Sequence, residues 1–370
     1  MKNNKTIVHI ASIPLSEETG MGRIAWNWRK AFEEKGYTFI HIGSQECAKP
    51  MHHILWGKQA KTYLQEQGIK PDLILVHEPA SGYFTDLGVP VVAFSHGIEK
   101  RGWAVEAQYH YRNQTLKSLF MPEFIRYKSN LKGLKRADKV LLSNEEDKTY
   151  LVNALNRKSG GISIFKNGYY EANIPKKNND TETPQYKSEK PVTFLFNASW
   201  LERKGKTMMI QAFAEVHKTF PTDWQLILAG IGQHKNAILQ EFPSHLHPNL
   251  EIIPHFTQAE ETALYERSDA FILPSYFEGQ SLALTQAMAS GLCCICSDNC
   301  GQRDFISHEH NGLLFKTGDV ADLANQIKNI LQHRDLINVY AEQAKQRVAG
   351  YTWERVSRDV VAECESLILN

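Results

Sequence analysis

The sequence predicts an α/β protein with two domains, each built on a parallel β-sheet. Short apolar segments alternate with segments of helical periodicity, which is the pattern of βαβ units. This pattern occurs twice, and the two series are separated by a polar stretch at 171–191 that is rich in Lys, Asn, Pro and Glu. A chain of 370 residues also exceeds the size of one compact core, so two domains are expected.

The first series predicts an N-terminal domain at 1–172. Its first strand is followed by a loop at 12–22 and by a helix from about residue 23 to residue 35. The segments predicted as buried strands are rich in Val, Ile, Leu and Phe and lie at Thr6–Ala11, Tyr37–Gly43, Asp72–His77, Val89–Ser95 and Lys139–Ser143. The stretch 173–190 has almost no large apolar residues, so it is predicted to be the interdomain linker.

The second series predicts a C-terminal domain at 191–351. Its predicted strands are Val192–Phe196, Gln225–Ala229, Glu251–Ile253, Ala270–Leu273 and Cys293–Cys296, followed by Asn311–Phe315. Its predicted helices are Thr207–Thr219, Gln258–Arg267, Val320–Gln332 and Leu336–Ala349. A last helix is predicted within 352–370, beginning at Trp353.

Charge and cysteine content narrow the class of function. The 42 basic and 41 acidic residues nearly cancel, so the balance implies no nucleic-acid partner. Without an apolar run long enough to span a bilayer and without a signal-peptide core, the protein is expected to be cytoplasmic. Neighbouring strand residues alternate faces, so reduced core thiols are favoured over a zinc site for Cys47, Cys293, Cys294, Cys296, Cys300 and Cys364.

The stretch PSYFEGQSLALTQAMASG at 274–291 is the most informative part of the chain. A buried strand ends at Pro274, and a helix of small residues begins after Ser281, which is placed to cap it. Gly291 is placed to end the helix. The first amides of such a helix lack intrahelical partners and form an anion site, and the preceding Glu278 supplies a carboxylate for sugar hydroxyls. The stretch therefore predicts a site for a sugar phosphate.

This stretch resembles the Glu-x7-Glu signature, usually EGFGLxxxEAMAxG, of the retaining glycosyltransferases of family GT4. Glu278 matches the first glutamate, and Gln286 stands where the second is expected. The resemblance implies the GT-B fold, in which two Rossmann-like domains face each other across a cleft. It further implies that the N-terminal domain binds the acceptor, the C-terminal domain binds the nucleotide-sugar donor, and the helix at 352–370 completes the first domain. Neither a cofactor nor a metal is implied.

The segment Asn197–Gly205 occupies the position of the family motif G-R-L-x-x-x-K-G. Lys204 matches the lysine that neutralises the donor diphosphate, whereas Ser199 replaces the usual arginine. Arg203, beside Lys204, is a further candidate for the same phosphate. The alternative is an ordinary helix start with two solvated cations.

Two more candidates lie in the N-terminal domain. The run from Gly20 to Ala25 has the form G-x-G-x-x-A of a dinucleotide site, but Pro14 to Thr19 intervene between the strand and this run, which disfavours NAD. Gly20 and Gly22 instead resemble the paired glycines of a family loop near the donor phosphate and the acceptor; a plain loop before a helix is the alternative. His96 follows a buried strand and resembles the family histidine near the 6-hydroxyl of the donor sugar, although a lone histidine is more often structural.

The remaining donor contacts are predicted from the order and spacing of short motifs along the chain. Gly230 and Gly232 resemble a glycine turn that borders the nucleotide, and His255 and Phe256 stand where backbone groups receive the base. At the start of the helix that Ser281 caps, the resemblance adds Gly279, Gln280, Ser281 and Leu282.

The segment 100–139 is rich in both aromatic and basic residues. Basic residues beside apolar rings favour an anionic membrane surface, such as the inner face of the plasma membrane, or a lipid-linked acceptor. Ordinary helices with a solvated basic face are an equally good interpretation.

The resemblance implies a metal-independent, retaining hexosyltransferase. The commonest donor of the family, UDP-glucose, is the expected one, and the acceptor is a glycan, a lipid-linked molecule or another hydroxyl compound in cell-envelope polysaccharide or glycoconjugate synthesis. Ser199 and Gln286 keep open a nucleotide-sugar-binding protein with weakened catalysis. Another GT-B enzyme, such as a sugar-nucleotide epimerase or a phosphorylase, is the third interpretation.

Overall fold

A computed structural model describes residues 5–18, 20–47, 55–109, 122–175 and 190–369, without the side chains of 122–125. The chain forms two compact units. The first contains the described residues within Met1–Ala104, Asn113–Asn167 and Trp353–Asn370, and the second those within Val105–Arg112 and Gly168–Thr352. Each unit is a Rossmann-like assembly of a six-stranded parallel sheet with helices. The predicted α/β class with two such domains is confirmed.

The strands of the first unit are β1 Thr6–Ile10, β2 Thr38–Ile42, β3 Leu73–His77, β4 Val91–Ser95, β5 Lys139–Leu142 and β6 Ile162–Ile164. All pairs are parallel, in the order β2-β1-β3-β4-β5-β6. The strand order reverses between β1 and β3, and ligands of such open sheets bind outside the carboxyl ends of the strands at that point. The helices are α1 Gly20–Glu34, α2 Trp56–Glu66, α3 Glu78–Ser81, α4 Glu99–Tyr109, α5 Pro122–Arg136 and α6 Glu145–Leu155.

The strands of the second unit are β7 Val192–Asn197, β8 Trp224–Ala229, β9 Leu250–Ile253, β10 Ala270–Leu273, β11 Cys293–Ser297 and β12 Leu313–Phe315. They are parallel, in the order β12-β11-β10-β7-β8-β9. The helices are α7 Lys206–His217, α8 Lys235–Glu241, α9 Gln258–Glu266, α10 Leu282–Ala289, α11 Cys300–Phe305, α12 Val320–Gln332 and α13 Asp335–Val348.

Both faces of the second sheet are buried, which explains its nearly continuous apolar strands. In β10, Ala270 and Ile272 belong to one apolar cluster, and Phe271 and Leu273 belong to the other. Local signals fix the helix ends on this sheet. Thr257 and Glu260 form a capping box at the start of α9.

The last helix, α14 Trp353–Ile368, belongs to the first unit although it follows the whole second unit in sequence. It packs against α1 through a buried apolar face that includes Val356 and Val360. The Glu365 carboxylate accepts hydrogen bonds from Lys35 Nζ at 2.6 Å and from the Tyr37 hydroxyl at 3.1 Å. Lys139 forms a further ion pair with Glu363.

The division between the units falls before Gly168, whereas the sequence places the domain boundary at 172. Tyr169 is buried in the core of the second unit, and its N–H donates to the Tyr351 carbonyl at 3.0 Å. Because of this packing, residues 168–173 belong to the second unit. Most of the predicted linker, 176–189, lies outside the described residues.

Candidate active site

The predicted phosphate-binding stretch folds as a strand, a loop and a helix. β10 ends at Leu273, and α10 begins at Leu282, where the Ser281 hydroxyl accepts a hydrogen bond from the Leu284 N–H at 3.3 Å. The predicted N-cap is therefore confirmed. Gly291 adopts φ +74° after the helix, a left-handed conformation that favours glycine. The N–H groups in the first turn of a helix lack intrahelical acceptors, so the start of α10 can bind an anion.

Glu278, in the loop between β10 and α10, forms a buried ion pair with Lys204, which lies in the turn after β7. The Lys204 Nζ contacts the Glu278 Oε1, and the side chains are 13% and 9% exposed. The Arg203 guanidinium lies 3.8 Å from the same oxygen, with its side chain 47% exposed. The interpretation as two solvated cations therefore does not hold for Lys204. The structure brings Glu278 to Arg203 and Lys204, although Glu278 lies 74 positions after Lys204 in sequence.

Burial and the ion pair act in opposite directions on both pKa values. Burial raises the pKa of Glu278, but Lys204 and Arg203 outweigh it, so the net pKa lies below its ordinary value. Burial lowers the pKa of Lys204 more than Glu278 raises it. The carboxylate of this pair is thus held in its charged form, which can accept hydrogen bonds but cannot donate them.

Gly205 allows the lysine turn to approach the strand end. It adopts φ +77°, and a Cβ atom there would lie 1.9 Å from the Pro274 carbonyl oxygen. The Tyr276 N–H donates to the Arg203 carbonyl at 2.9 Å, which links the two segments that carry Lys204 and Glu278. Any side chain at 205 would therefore separate the ion pair.

Two positions that the sequence did not single out support the same loop. A Cβ atom on Gly301 would lie 1.9 Å from the Gly279 carbonyl oxygen. The Asn299 side-chain amide donates to the Ser275 carbonyl at 2.8 Å. An Asn two residues after the end of β11, followed by a glycine in the first turn of α11, was the available sequence signal.

Gln286, at the position of the second family glutamate, contacts the protein backbone. Its side chain is buried, and its Nε2 donates to the Asn173 carbonyl at 3.4 Å. A glutamate could not donate this bond, which gives a physical reason for glutamine here. The neighbouring Gln280 donates to the Thr285 hydroxyl at 3.2 Å.

We expect Gln286→Glu to lower the free energy of unfolding by about 1–3 kcal/mol at neutral pH, because a carboxylate would face the Asn173 carbonyl without a donor. Protonation of the introduced carboxylate in acid should reduce this loss. Urea unfolding at several pH values measures both effects. Gln280→Glu is the control, since the Thr285 hydroxyl can turn from the Ser281 carbonyl, to which it donates at 3.3 Å, and donate to a carboxylate instead. Equal losses in the two variants would contradict this role of Gln286.

The other predicted donor residues of the second unit lie at the carboxyl ends of β7, β8 and β9. Gly230 and Gly232 have positive φ. Their N–H groups donate to the carbonyls of Ile253 and Pro254, so the turn after β8 is hydrogen-bonded to the end of β9. A Cβ atom on Gly230 would lie 3.1 Å from the Phe256 ring. The Ser199 and His255 residues are exposed. Contact of these residues with a nucleotide stays a prediction.

Of the candidate residues in the first unit, Gly20 and Gly22 lie in a different element from the one predicted, whereas His96 follows a strand as predicted. Gly20 and Gly22 lie in the first turn of α1 and not in a loop, because the helix begins three residues earlier than predicted. The loop before it is held by the Arg23 guanidinium, which donates to the carbonyls of Glu17 and Glu18 at 3.0 and 3.1 Å. His96 lies directly after β4, half-buried, and burial lowers its pKa to about 4.

The cysteines of β11 are buried thiols. Cys293 lies in one apolar cluster, and Cys294 and Cys296 lie in the other, as alternation along a strand requires. Burial raises the pKa of Cys293 to about 12 and that of Cys296 further. Across the described ranges, no group of three or more His, Cys, Asp or Glu side chains is arranged to hold a metal ion. Among the described helices, none has the length and apolar character needed to cross a bilayer.

Comparisons with known proteins agree with this fold. The family model "Glycosyl transferases group 1" matches residues 178–347, a range that contains Lys204, Glu278 and Gln286. The chain is 22% identical over 314 residues to the glycogen synthase of Mycobacterium tuberculosis, covering 81% of this chain and 70% of that protein. It is 26% identical over 178 residues to the phosphatidyl-myo-inositol mannosyltransferase of Mycolicibacterium smegmatis, 47% of this chain and 45% of the relative.

Two solved structures extend the similarity to nearly the whole chain. Sucrose-phosphate synthase from Thermosynechococcus elongatus superposes with a TM-score of 0.76 at 17% identity, covering 99% of this chain and 100% of that one. WaaG, a glycosyltransferase of lipopolysaccharide biosynthesis, gives a TM-score of 0.76 at 13% identity over 97% and 99%. The chain therefore has the GT-B fold. The family match and the relatives support a glycosyltransferase.

Proposed function

We propose that the protein transfers a hexosyl group from a nucleotide sugar to a hydroxyl acceptor with retention of configuration. The observation that carries this proposal is the buried pair of Lys204 and Glu278 beside the N-terminus of α10, inside the range that matches the family model. Departure of a nucleoside diphosphate builds negative charge on phosphate. A lysine and the first amides of a helix are suitable groups to stabilise that charge.

In this mechanism, Lys204 changes partner during the reaction. Without substrate, its ammonium neutralises Glu278. The donor diphosphate draws the ammonium toward itself, and the released carboxylate accepts hydrogen bonds from the 3- and 4-hydroxyls of the sugar. The same carboxylate favours positive charge on the sugar ring as the leaving group departs. The acceptor hydroxyl attacks the anomeric carbon from the face on which the diphosphate leaves, and its proton passes to the departing phosphate oxygen as the bond from that oxygen to the sugar breaks.

UDP-glucose is the donor that we propose. Solved structures of Anabaena Alr3699/HepE contain UDP or UDP-glucose, with TM-scores of 0.70 and 0.68 to this chain at 13% identity. We propose a glycan or lipid-linked acceptor in cell-envelope synthesis and a cytoplasmic location. Relatives that act on undecaprenol-linked sugars in Campylobacter jejuni and Escherichia coli support this acceptor class.

A metal is not part of this mechanism, because Lys204 and the α10 amides supply the positive charge. We expect UDP-glucose at about a hundred times its Kd to stabilise the protein by ~2.7 kcal/mol, and EDTA to leave both this shift and turnover unchanged. A thermal-shift screen of nucleotide sugars, followed by detection of released UDP, measures both. Loss of turnover in EDTA that magnesium or manganese restores would exclude the metal-free mechanism.

The dependence of UDP release on acceptor distinguishes the remaining alternatives. A transferase releases UDP rapidly only when acceptor is present. A binding protein with weakened catalysis, for which the exposed Ser199 and the buried Gln286 are the motivation, would bind UDP-glucose without release. A sugar-nucleotide epimerase would change the sugar and keep it attached to UDP.

We also propose that the basic face of α5 contacts an anionic membrane. A groove on this helix is lined by Lys128, Leu131, Lys132, Lys135 and Arg136. Asp86 pairs with Lys132 and lies 3.6 Å from the Arg136 guanidinium, so part of the positive charge is already neutralised. Lys135 is exposed and offers its charge to the surface.

We expect Lys135→Glu to weaken binding to phosphatidylglycerol vesicles by roughly tenfold, given about 1 kcal/mol for each basic residue near such a surface. Vesicle co-sedimentation measures the affinity, and phosphatidylcholine vesicles report binding without charge. Lys218→Glu, which reverses a lysine that is 71% exposed in the second unit, is the matched control. Equal affinities of all three proteins would remove α5 from membrane binding.

A further inference from the structure

Two buried carboxyl groups hold the start of α4, directly after the loop that carries His96. The Asp147 Oδ2 accepts a hydrogen bond from the Ile98 N–H at 3.1 Å. Both carboxyl oxygens of Glu78 lie 3.3 Å from the Glu99 nitrogen and accept from its N–H. A helix start leaves its first N–H groups without intrahelical partners. The two carboxyl groups supply those partners and so fix where α4 begins.

Glu78 is also linked to the backbone on both sides of His96. The Ser95 hydroxyl donates to the Glu78 Oε2 at 2.6 Å, and its oxygen lies 3.3 Å from the Gly97 nitrogen, whose N–H donates to it. Gly97 adopts φ +126°, a conformation that favours glycine. Because His96 stands between these two bonded residues, the position of the Glu78 carboxyl group decides the position of the histidine.

The charges around Glu78 balance only when its carboxyl group is neutral. Glu78 is 1% exposed, and the carboxylates nearest to it are those of Glu99 and Asp147. The Arg126 guanidinium pairs with Glu99 at 2.6 Å, and Arg101 pairs with Asp147. Within the described ranges, no cation forms an ion pair with Glu78. A third negative charge at this place would therefore be buried without a counter-charge, which is costly.

The titration of Glu78 agrees with this count of charges. Burial raises the pKa of Glu78 to about 8; the bond from Ser95 opposes this shift, and the carboxylates of Glu99 and Asp147 add to it. Burial also raises the pKa of Asp147, although Arg101 acts against the shift. Glu78 is thus protonated at neutral pH and ionises as the pH rises through about 8.

The other groups that face Glu78 bring no free positive charge. On α5, the Asn130 side-chain amide is neutral and lies 3.5 Å from the Glu78 Oε1. Burial lowers the pKa values of His77 and His96, so both imidazoles are neutral. Glu146, 38% exposed, shares Arg101 with Asp147 and adds a further negative charge at the edge of the network.

We propose that Glu78 is a positioning residue, whose neutral carboxyl group holds the segment 95–99, and with it His96, in the arrangement that supports sugar transfer. In alkali, Glu78 releases its proton to solvent, and the new charge repels the Glu99 and Asp147 carboxylates. The start of α4 then shifts, and His96 is displaced. The link to sugar transfer rests on the proposed function, whereas the link between Glu78 and His96 does not.

NMR of the full chain tests the link to His96 without any substrate. Burial lowers the pKa of His96 to about 4, so its own ring does not titrate above pH 6. With ring-labelled histidine, we expect the His96 resonances to shift with a midpoint near pH 8, which is the pKa of Glu78. With carboxyl-labelled glutamate, the Glu78 carbon should titrate with the same midpoint.

Glu78→Gln is the decisive variant, because a glutamine amide has the shape of a neutral carboxyl group, accepts from the Ser95 hydroxyl and does not ionise. It should keep the His96 resonances at their neutral-pH positions and abolish the shift near pH 8. Glu261→Gln is the matched control. Glu261 is 4% exposed in the second unit and accepts from the Asn173 side-chain amide at 3.4 Å, so its replacement should leave the His96 shift unchanged.

The pH profile of UDP release from UDP-glucose tests the link to the reaction. Ionisation of one essential acid leaves about a tenth of the activity one pH unit above its pKa. Release by the wild-type protein should therefore fall about tenfold between pH 7 and pH 9. Glu78→Gln should match the wild-type rate at pH 7 within about twofold and keep it at pH 9, because the amide reproduces the protonated carboxyl group.

Loss of fold in alkali must be separated from loss of turnover. The pKa of Glu78 is raised from 4.5 in the unfolded chain, so the stability that its proton contributes is fully present below pH 4.5 and is lost as the pH rises through about 8. Circular dichroism and thermal melting at each pH show whether the wild-type protein and both variants are still folded where turnover is measured.

Three outcomes would overturn the proposal. A Glu78 carboxyl carbon that titrates below pH 6 would show that the group is ionised at neutral pH. His96 resonances that stay fixed near pH 8, or that move equally in Glu78→Gln, would show that Glu78 does not position the histidine. An alkaline fall in UDP release that Glu78→Gln shares would place the essential acid elsewhere. Absence of UDP release at every pH, with a His96 shift that Glu78→Gln abolishes, would instead remove the proposed transferase function and preserve the positioning of His96.

Discussion

Replacement of Lys204 by alanine is expected to lower the rate of sugar transfer by about a hundredfold or more, because one oriented group at a developing anion contributes roughly 3 kcal/mol to the barrier. The variant should also bind UDP more weakly, since the same ammonium faces the diphosphate. Turnover with UDP-glucose and calorimetric titration with UDP measure the two effects. Activity within about threefold of the wild-type value would remove Lys204 from the mechanism.

The ion pair adds a cost in stability that must be separated from catalysis. Lys204→Ala leaves the Glu278 carboxylate buried without its main partner, and such losses reach about 3–5 kcal/mol before the carboxylate takes up a proton. Lys204→Ala combined with Glu278→Gln removes both charges and should recover much of that stability without recovering turnover. Lys206→Ala is the matched control. Lys206 lies two residues after Lys204, and its Nζ pairs with the Glu241 carboxylate at 2.6 Å.

Glu278→Gln is expected to lower transfer by about a hundredfold while it leaves UDP affinity unchanged or increases it. The amide cannot hold the Lys204 ammonium as the carboxylate does, so the ammonium becomes more available to the diphosphate. Calorimetry with UDP and turnover with UDP-glucose measure the two effects separately. This combination distinguishes a sugar contact from a phosphate contact.

Glu241→Gln provides the control for Glu278→Gln. Glu241 also pairs with a lysine, Lys206, and accepts a bond from the Trp200 indole at 2.9 Å, which an amide oxygen can still accept. Its replacement should change neither UDP affinity nor turnover. A parallel fall of UDP affinity and turnover in Glu278→Gln would place this carboxylate at the nucleotide and not at the sugar.

Local sequence signals were sufficient for the main elements of the second unit. The apolar run at Ala270–Leu273, the capping Ser281 and the terminating Gly291 all have their physical cause within a few residues, and the structure places each as predicted. Helix α2 could have been predicted in the same way, since Trp56, Ala60 and Leu64 repeat every four residues and are buried.

Features that depend on distant contacts could not be predicted. The sequence identified both Lys204 and Glu278, but their pairing follows from the approach of two loops at Gly205 and Pro274. The early start of α1 depends on the Arg23 guanidinium, which binds carbonyls of the preceding loop. A small cavity in the first unit is lined by His9, His77 and His96 together with residues of α1, so no single stretch of sequence predicts it.

The position of α14 has a consequence for biosynthesis. A ribosome releases most of the first unit before Gly168–Thr352 of the second, yet α14 emerges after that whole segment. Until then, the surface of α1 that it covers stays open to water, and Glu365 is absent from its partners Lys35 and Tyr37. Folding of N-terminal domains usually keeps pace with translation. Here the second unit has its whole chain before the first does, so the N-terminal fold is completed only after the second unit has been translated.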